Sequence, residues 1–389
     1  MRTINTSDMK IRKVIEKLYD DIFGASLHMK TAKSLVDGFF GIVHSPKLDC
    51  ASIGDSLAQR IGLSAKHATK QVSRLFGNQK IDVWELLPRL VRRVLASRKE
   101  VVVSMDWTEF DGDDQSTLML SIVTKHGRAT PLLWLTVWKH ELSDGGRNDV
   151  EDTCLRRLAQ IMPAETKATI LADRGFGDHK LFDFLDENGF AYLIRFRGDI
   201  HITAESGERR PAAEWVGKGG RLRILRNVLF AASARAPVKA VVCVREKNMK
   251  ESWCLATNQG HLSGHTAKKL YARRWTIEPG FRDIKDARFG MGLGEVRIGE
   301  PTRRDRLLLA NAMATVVLTI LGQATEAVGL DMKLKVNTTK RRTHSLFNLG
   351  KRMCGMVATM GRHDRKRLLG KFHEILRETS EFLGVYGVV

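Results

Sequence analysis

Paired cysteines are missing from this sequence of 389 residues. Its cysteines are odd in number and far apart, and none forms a C-x-x-C motif; they are Cys50, Cys154, Cys243, Cys254 and Cys354. This pattern excludes a fold that is held together by disulfide bonds. We expect the five thiols to be reduced, buried and structural.

An uninterrupted apolar run of about 18 residues, as a membrane span requires, is also missing. The stretch RLLLANAMATVVLTILGQA at 306–324 contains polar residues and predicts a buried helix. The N-terminal segment lacks the apolar core of a signal peptide and has too many acids for an organellar presequence. We therefore expect a cytoplasmic, nucleoid-associated protein with no membrane partner.

Acidic residues are scarce relative to basic ones. There are 44 Asp and Glu against 64 Lys and Arg, which gives a formal net charge of +20. A cation that neutralises a phosphate releases a condensed counterion, so this excess predicts a polyanionic partner. An anionic membrane is the alternative, but cations scattered along the whole chain favour nucleic acid.

Helical periodicity from about residue 8 to 96 predicts an all-α N-terminal domain over 1–98. Within it, 54–73 fits a helix-turn-helix with a turn at Gly62 and a second helix that begins after Ser64. Gln71 stands where an apolar residue is expected, although its neighbour Val72 can take that place. The residues of the second helix predicted to face DNA are Lys66, His67, Lys70 and Arg74. The alternative is an ordinary helical hairpin with a solvated basic face.

The rest of the chain predicts an α/β fold. Residues 99–196 follow the order βββαβαβ, which is that of a ribonuclease H-like mixed sheet and forms the first part of a core. Glycine, charge and short alternating runs at 197–262 predict a β-rich insertion. Residues 263–298 then supply a core helix, and 299–389 form a helical C-terminal region.

Two acids close predicted strands of this core, Asp106 after VVVSM and Asp173 after ATILA. The first and fourth strands of such a sheet are neighbours, so both carboxylates are expected at one edge. Hard divalent cations such as Mg²⁺ take carboxylate oxygens as ligands. Glu109, Asp111, Asp113 and Asp114 are rival ligands, but DGDD favours a hairpin turn kept in solution.

The stretch YARRWTIEPGFRDIK at 271–285 places four functional side chains at steps of three, four and seven. On one helix, Tyr271, Arg274, Glu278 and Lys285 fall within roughly 60° of one face. Spacing alone also fits a solvated face with intrahelical ion pairs. Pro279 predicts a kink at Glu278, or a second helix with the proline in its first turn.

The pattern Y-x2-R-x3-E-x6-K, with Trp275 after the arginine, resembles the DDE transposases of bacterial insertion sequences, in the YREK-signature group named for the fourth insertion sequence. The resemblance covers about residues 101–285. It implies a ribonuclease H-like core split by a β insertion, and a metal-binding catalytic triad of Asp106, Asp173 and Glu278. Two Mg²⁺ ions are the implied cofactors, with Mn²⁺ as a substitute.

The resemblance also implies contacts with DNA. Tyr271, Arg274 and Lys285 would hold phosphates of the transposon end, and Trp253 of the insertion would stack on a flipped base; packing in the insertion's core is the alternative for Trp253. If Pro279 breaks the helix, Arg282 is a substitute for Lys285. A dimer on DNA is likewise an implication of the family.

These residues predict a DNA transposase that cleaves the ends of its element with metal ions and joins the freed 3′-hydroxyl to target DNA. One alternative is a non-catalytic DNA-binding regulator derived from a transposase. Another is a ribonuclease H-like nuclease without strand transfer. The acids argue against the regulator, because carboxylates repel DNA.

Overall fold

Helices form the N-terminal quarter of the chain. The computed structural model describes residues 6–95, 98–231, 235–336, 338–339 and 341–377. The first helices are α1 (Thr6–Phe23), α2 (Met29–His44), α3 (Cys50–Ile61), α4 (Ala65–Phe76) and α5 (Val83–Leu95). As predicted, α3 ends at Gly62, whose φ of 77° suits glycine, and the Ser64 hydroxyl caps α4 by accepting from His67 N.

Helices α3 and α4 are in close contact, as the helix-turn-helix hypothesis requires. Val72 is buried, and Gln71 Nε2 donates to Asp37 Oδ2 at 3.0 Å, so the polar residue is paired with α2. Gly54 allows the close approach, since a Cβ there would lie 2.5 Å from Thr69 Cα. Backbone atoms can move little, so this position excludes any larger residue.

Replacing Gly54 with alanine is expected to lower the stability by about 1–3 kcal/mol, because the added methyl group overlaps the Thr69 backbone. Urea unfolding would measure the change. Gly370→Ala is the matched control: a Cβ at Gly370 meets nothing within 4 Å, and alanine in a helix gains up to about 1 kcal/mol. Equal stability of the two variants would contradict the close approach.

Ten strands in the described chain form one mixed sheet. They are β1 (Glu100–Phe110), β2 (Gln115–Val123), β3 (Ala129–Trp138), β4 (Lys167–Ala172), β5 (Ala191–Phe196), β6 (His201–Thr203), β7 (Arg209–Pro211), β8 (Arg223–Phe230), β9 (Ala236–Val244) and β10 (Trp253–Thr257). The order across the sheet is β3-β2-β1-β4-β5-β10-β9-β8-β6-β7. Helices α6 (Gly146–Ile161) and α7 (His179–Glu187) connect β3 to β4 and β4 to β5.

The first five strands have the predicted arrangement. Strands β1, β2 and β3 are antiparallel neighbours, whereas β4 is parallel to both β1 and β5. The β-rich segment from β6 to β10 extends this sheet, because β10 pairs with β5 on one side and β9 on the other. This segment therefore belongs to the same hydrogen-bonded sheet as the first five strands.

Helices resume after β10. They are α8 (Gly264–Ala272), α9 (Ile277–Lys285), α10 (Pro301–Ala327), α11 (Leu346–Met356) and α12 (Arg362–Arg377). Helix α10 is long and apolar enough to span a membrane, yet 89% of its most apolar window is buried inside the protein. It packs against α2, α11, α12 and β3, which explains its composition as that of a core helix.

The cysteines follow the expectation with one exception. Cys154, Cys243, Cys254 and Cys354 are buried free thiols, whereas Cys50 at the start of α3 is half-buried, so the expected burial was wrong there. Cys50 is the first residue of α3 and lines a cavity with Phe76 and Arg303, which leaves one side accessible. Cys243 and Cys254, distant in sequence, are cross-strand neighbours on β9 and β10.

Candidate active site

Asp106 lies on β1, and Asp173 directly follows the neighbouring strand β4. The β1–β4 ladder ends at Ser104 and Leu171, and each acid lies two residues farther along its chain. Asp173 follows β4, and its carboxylate accepts from Gly175 N at 2.7 Å. Asp106, however, lies inside β1, which continues to Phe110 beside β2, so the prediction that it ends a strand was wrong. The β4 side of β1 is open at this point.

Glu278 comes from the second residue of α9. The segment 271–285 is not one helix: α8 ends at Ala272, a 3-10 turn spans Arg273–Thr276, and α9 begins at Ile277. Pro279 thus occupies the first turn of a second helix, the second of the two predicted possibilities. The single helical face proposed for the four signature residues is therefore interrupted.

Arg274 links two of the candidate catalytic acids. Its Nη1 lies 3.3 Å from Asp106 Oδ2, and its Nη2 lies 3.5 Å from Glu278 Oε1. The residue is only 6% exposed, and its Nε has no hydrogen-bond partner among the described residues. Burial works against its charge, yet the net pKa of Arg274 is raised, since Tyr271, Asp106 and Asp173 favour the cation.

The charges of two candidate acids act on the third, Asp106. Burial raises the pKa of Asp106 to about 6; Arg274 and the Trp107 amide lower it, while the charges of Asp173 and Glu278 raise it. Trp107 N donates to Asp106 Oδ1 at 2.9 Å and fixes one carboxylate oxygen. Mutual repulsion of this kind is relieved by a cation, so the site favours bound positive charge.

Activity that requires ionised Asp106 is expected to fall as the pH drops through about 6. The pKa of Asp106 in the folded protein lies above the ordinary value of 3.8, so folding favours its protonated form. Its contribution to the free energy of unfolding is therefore complete below pH 3.8 and is lost as the pH rises through about 6. Single-turnover cleavage against pH would measure the effect. More Mg²⁺ should move this limb to lower pH, because metal competes with protons; a rate independent of pH would contradict the assignment.

Aromatic side chains stand beside Arg274. Tyr271 is 1% exposed, and burial raises its pKa to about 12. The half-buried Trp253 ring lies edge-on to Tyr271, with centroids 5.1 Å apart, and is tilted against Trp275 at 6.4 Å. Trp275 is 50% exposed, so it presents the open aromatic surface of this group. Trp253 thus packs on Tyr271 and remains partly accessible.

Lys285 is directed to the far end of β1. Its Nζ donates to the Glu109 carbonyl and to Thr108 Oγ1 and lies 4.8 Å from the Phe110 ring centroid. Burial lowers the pKa of Lys285. Contacts within the protein therefore already occupy the Lys285 ammonium group.

The DGDD segment forms the β1–β2 turn as predicted, but Asp113 is not kept in solution. Its carboxylate accepts from Ile298 N at 3.0 Å and lies 2.5 Å from Nη2 of the fully buried Arg304. Asp111 is exposed and pairs with Lys139. A buried cation on α10 explains the difference, since Arg304 needs a counter-charge.

Sequence reasoning missed Glu151, a buried acid near the site. It lies on α6, and its Oε1 accepts from Trp107 Nε1 at 2.8 Å. Burial raises the pKa of Glu151 to about 7, with a smaller contribution from Asp173. The sequence did indicate that Glu151 is buried, because this residue falls on the same helix face as the apolar positions Cys154, Leu155 and Leu158.

The predicted DNA-facing residues of α4 are exposed. Lys66, His67, Lys70 and Arg74 all reach the surface, and three of them line a groove that Lys30 of α2 closes on the other side. The groove thus has cations from two helices, as an anion-binding surface requires.

Comparison with known proteins assigns the family. Residues 98–316, more than half of the chain, match the family described as the transposase DDE domain. The chain belongs to this family, which implies a transposase enzyme with DNA as its partner. A search of curated proteins finds no match.

Enzymes of this family typically use divalent metal ions. The donor chemistry fits such ions, because Asp106, Asp173 and Glu278 offer carboxylate oxygens, and Arg274 contacts Asp106 and Glu278. As placed, no three His, Cys, Asp or Glu side chains of the described ranges are grouped closely enough to hold an ion. In this arrangement the Arg274 guanidinium supplies the positive charge between Asp106 and Glu278.

Proposed function

We propose that the protein is a cut-and-paste DNA transposase of the YREK-signature group with a ribonuclease H-like core. It would cleave the ends of an insertion sequence and join the freed 3′-hydroxyl to target DNA. One observation carries the proposal: the buried Arg274 contacts Asp106 of β1 and Glu278 of α9. The negative charge of Asp173, which follows β4, helps to raise the pKa of this arginine. The family match supports the class of enzyme.

Asp106, Asp173 and Glu278 would hold two Mg²⁺ ions, or Mn²⁺ in their place. Bound there, the ions would activate the attacking oxygen and stabilise the leaving oxygen of the phosphodiester. The chain itself orients the acids: Trp107 N fixes Asp106, Gly175 N fixes Asp173, and Arg274 bridges Asp106 and Glu278. Orientation before binding lowers the reorganisation that the reaction requires.

DNA contacts would surround this centre. Arg274 and Tyr271 are buried, so they would bind only the phosphate that enters the site most deeply. Lys285 would bind a phosphate of the same strand near the β1–β2 turn. Trp253 would stack on a displaced base, supported from beneath by Tyr271. A homodimer on DNA in the bacterial cytoplasm would bring two ends together.

The α4 face would add affinity for the DNA end. Lys70→Ala is expected to reduce the salt dependence of DNA binding by about 0.9 in log–log slope, because one phosphate contact is lost. Fluorescence anisotropy at several salt concentrations would measure the slope. Lys180→Ala on α7 is the control, since Lys180 is exposed and carries the same charge; equal slopes would remove α4 from the interface.

The test of the proposal is incubation with duplexes that carry the element's own ends, together with Mg²⁺ and plasmid DNA, followed by sequencing of the products. Cleavage at the ends and joining of the 3′ strand to the plasmid is the expected result. Cleavage without joining would favour the simple nuclease. Binding without cleavage would favour the regulator.

A further inference from the structure

Glu251 is held by two arginines beside the candidate active site. Arg174 Nη1 lies 2.9 Å from Glu251 Oε1 and 2.7 Å from Oε2, and Arg195 Nη2 lies 2.9 Å from Oε2. The hydrogen bonds and charge of Arg174, followed by those of Arg195, lower the pKa of Glu251, which keeps the carboxylate ionised. One anion thus occupies two guanidinium groups.

The fold brings this cluster to the same edge as the acids. Arg174 directly follows Asp173, and Arg195 on β5 is the cross-strand partner of Leu255 on β10. Glu251 precedes Trp253 by two residues. The charge of Arg195 also reaches Tyr271, whose pKa it lowers after the larger effects of burial and Arg274. The cluster therefore directly follows one candidate metal ligand, Asp173, and comes just before Trp253 of the aromatic group.

The chemistry of the cluster suits a phosphate. The planar guanidinium fork binds carboxylate and phosphate oxygens in the same way. Arg195 Nε is buried with no hydrogen-bond partner among the described residues, which leaves a donor beyond those that Glu251 uses. Side chains of Arg174 and Glu251 are 52% and 55% exposed, so an incoming anion can reach them.

The exchange of anions costs little. Exposed ion pairs contribute little to stability, so a phosphate can replace the exposed Glu251 carboxylate without loss of fold. The neighbouring loop residues Lys247 and Lys250 are exposed cations, so Glu251 is an acid in a basic surface. The Glu251 carboxylate offsets one of the two positive charges of Arg174 and Arg195 until a polyanion binds.

We propose that Arg174 and Arg195 form a binding site for a DNA backbone phosphate, and that Glu251 occupies this site in the free protein and yields it when DNA binds. The inference rests on the proposed function, because it assumes DNA at this edge of the sheet. It assigns three residues that neither the signature nor the acids identify.

The test measures binding of a fluorescein-labelled DNA duplex by anisotropy in EDTA, where no cleavage occurs. Glu251→Gln should bind about three- to tenfold more tightly than the wild type and show a steeper salt dependence, since both arginines are then free for phosphate. Glu326→Gln is the matched control: it removes an equal charge from another Glu–Arg fork, with Arg342. A general charge effect would act on both variants alike.

The arginines complete the test. Arg195→Gln should weaken binding about tenfold, and in an Arg174→Gln/Arg195→Gln background Glu251→Gln should gain no more than Glu326→Gln does. Thermal unfolding would verify that each variant is folded. Wild-type binding with equal effects of Glu251→Gln and Glu326→Gln would overturn this inference alone. Failure of the wild type to bind DNA would overturn the proposed function as well.

Discussion

Exchange of Asp106, Asp173 or Glu278 for its amide is expected to reduce metal-dependent DNA cleavage by at least about a thousandfold. The amide keeps the shape and one acceptor oxygen, so an asparagine at 173 can still accept from Gly175 N. What it removes is the negative charge that a divalent ion requires. Cleavage of a labelled duplex under single-turnover conditions would measure the loss, and DNA affinity should persist or increase.

Asp111→Asn is the control for these variants. Asp111 was a rival ligand in the sequence, and it lies exposed at the end of β1, paired with Lys139. Its amide should cleave at close to the wild-type rate. If any of the three proposed acids can be replaced without loss of cleavage, that residue is not a ligand.

Arg274→Gln is expected to slow cleavage about a hundredfold or more, because Asp106 and Glu278 lose the cation that holds them together. Stability should fall by about 1–3 kcal/mol, less than for a fully buried pair, since Glu278 is half exposed. The acidic limb of the pH profile should also move to higher pH, because Arg274 lowers the pKa of Asp106.

Two further variants separate charge from geometry. Arg274→Lys keeps the charge but loses the fork that reaches both acids, so its rate should lie between those of the wild type and Arg274→Gln. Arg273→Gln removes the same charge one residue away and should change the rate little when DNA is saturating. An Arg274→Gln enzyme with the wild-type rate and pH limb would leave the guanidinium without a role.

The arrangement of the central strands was predictable because few sheet topologies are compatible with their order along the chain. Three strands joined by short turns pair with each other, and a strand that follows a helix returns parallel to a neighbour. The adjacency of β1 and β4 follows from this rule and is present in the structure, and Asp106 and Asp173 each lie two residues beyond the end of that ladder. The turn at Gly62 and the cap at Ser64 were predictable because they depend on local backbone chemistry.

Features that depend on distant partners were not predictable. The length of β1 beyond Asp106 is set by its pairing with β2, and the position of Asp113 by Arg304, 191 residues away. Burial of Arg274 likewise results from packing of α8 and α9 against the sheet. Glu251 pairs with Arg174 across 77 residues, and no periodic pattern marks such a contact.

The pairing of β10 with β5 has an evolutionary consequence. It anchors the chain immediately before α8, so the third acid is positioned by two ladders rather than by the long path through the intervening segment. Strands β6 and β7 lie at the outer edge of the sheet and are separated from β10 by β9 and β8. We therefore expect relatives to tolerate insertions and deletions in β6 and β7, whereas a single-residue deletion between β10 and α8 would displace Glu278.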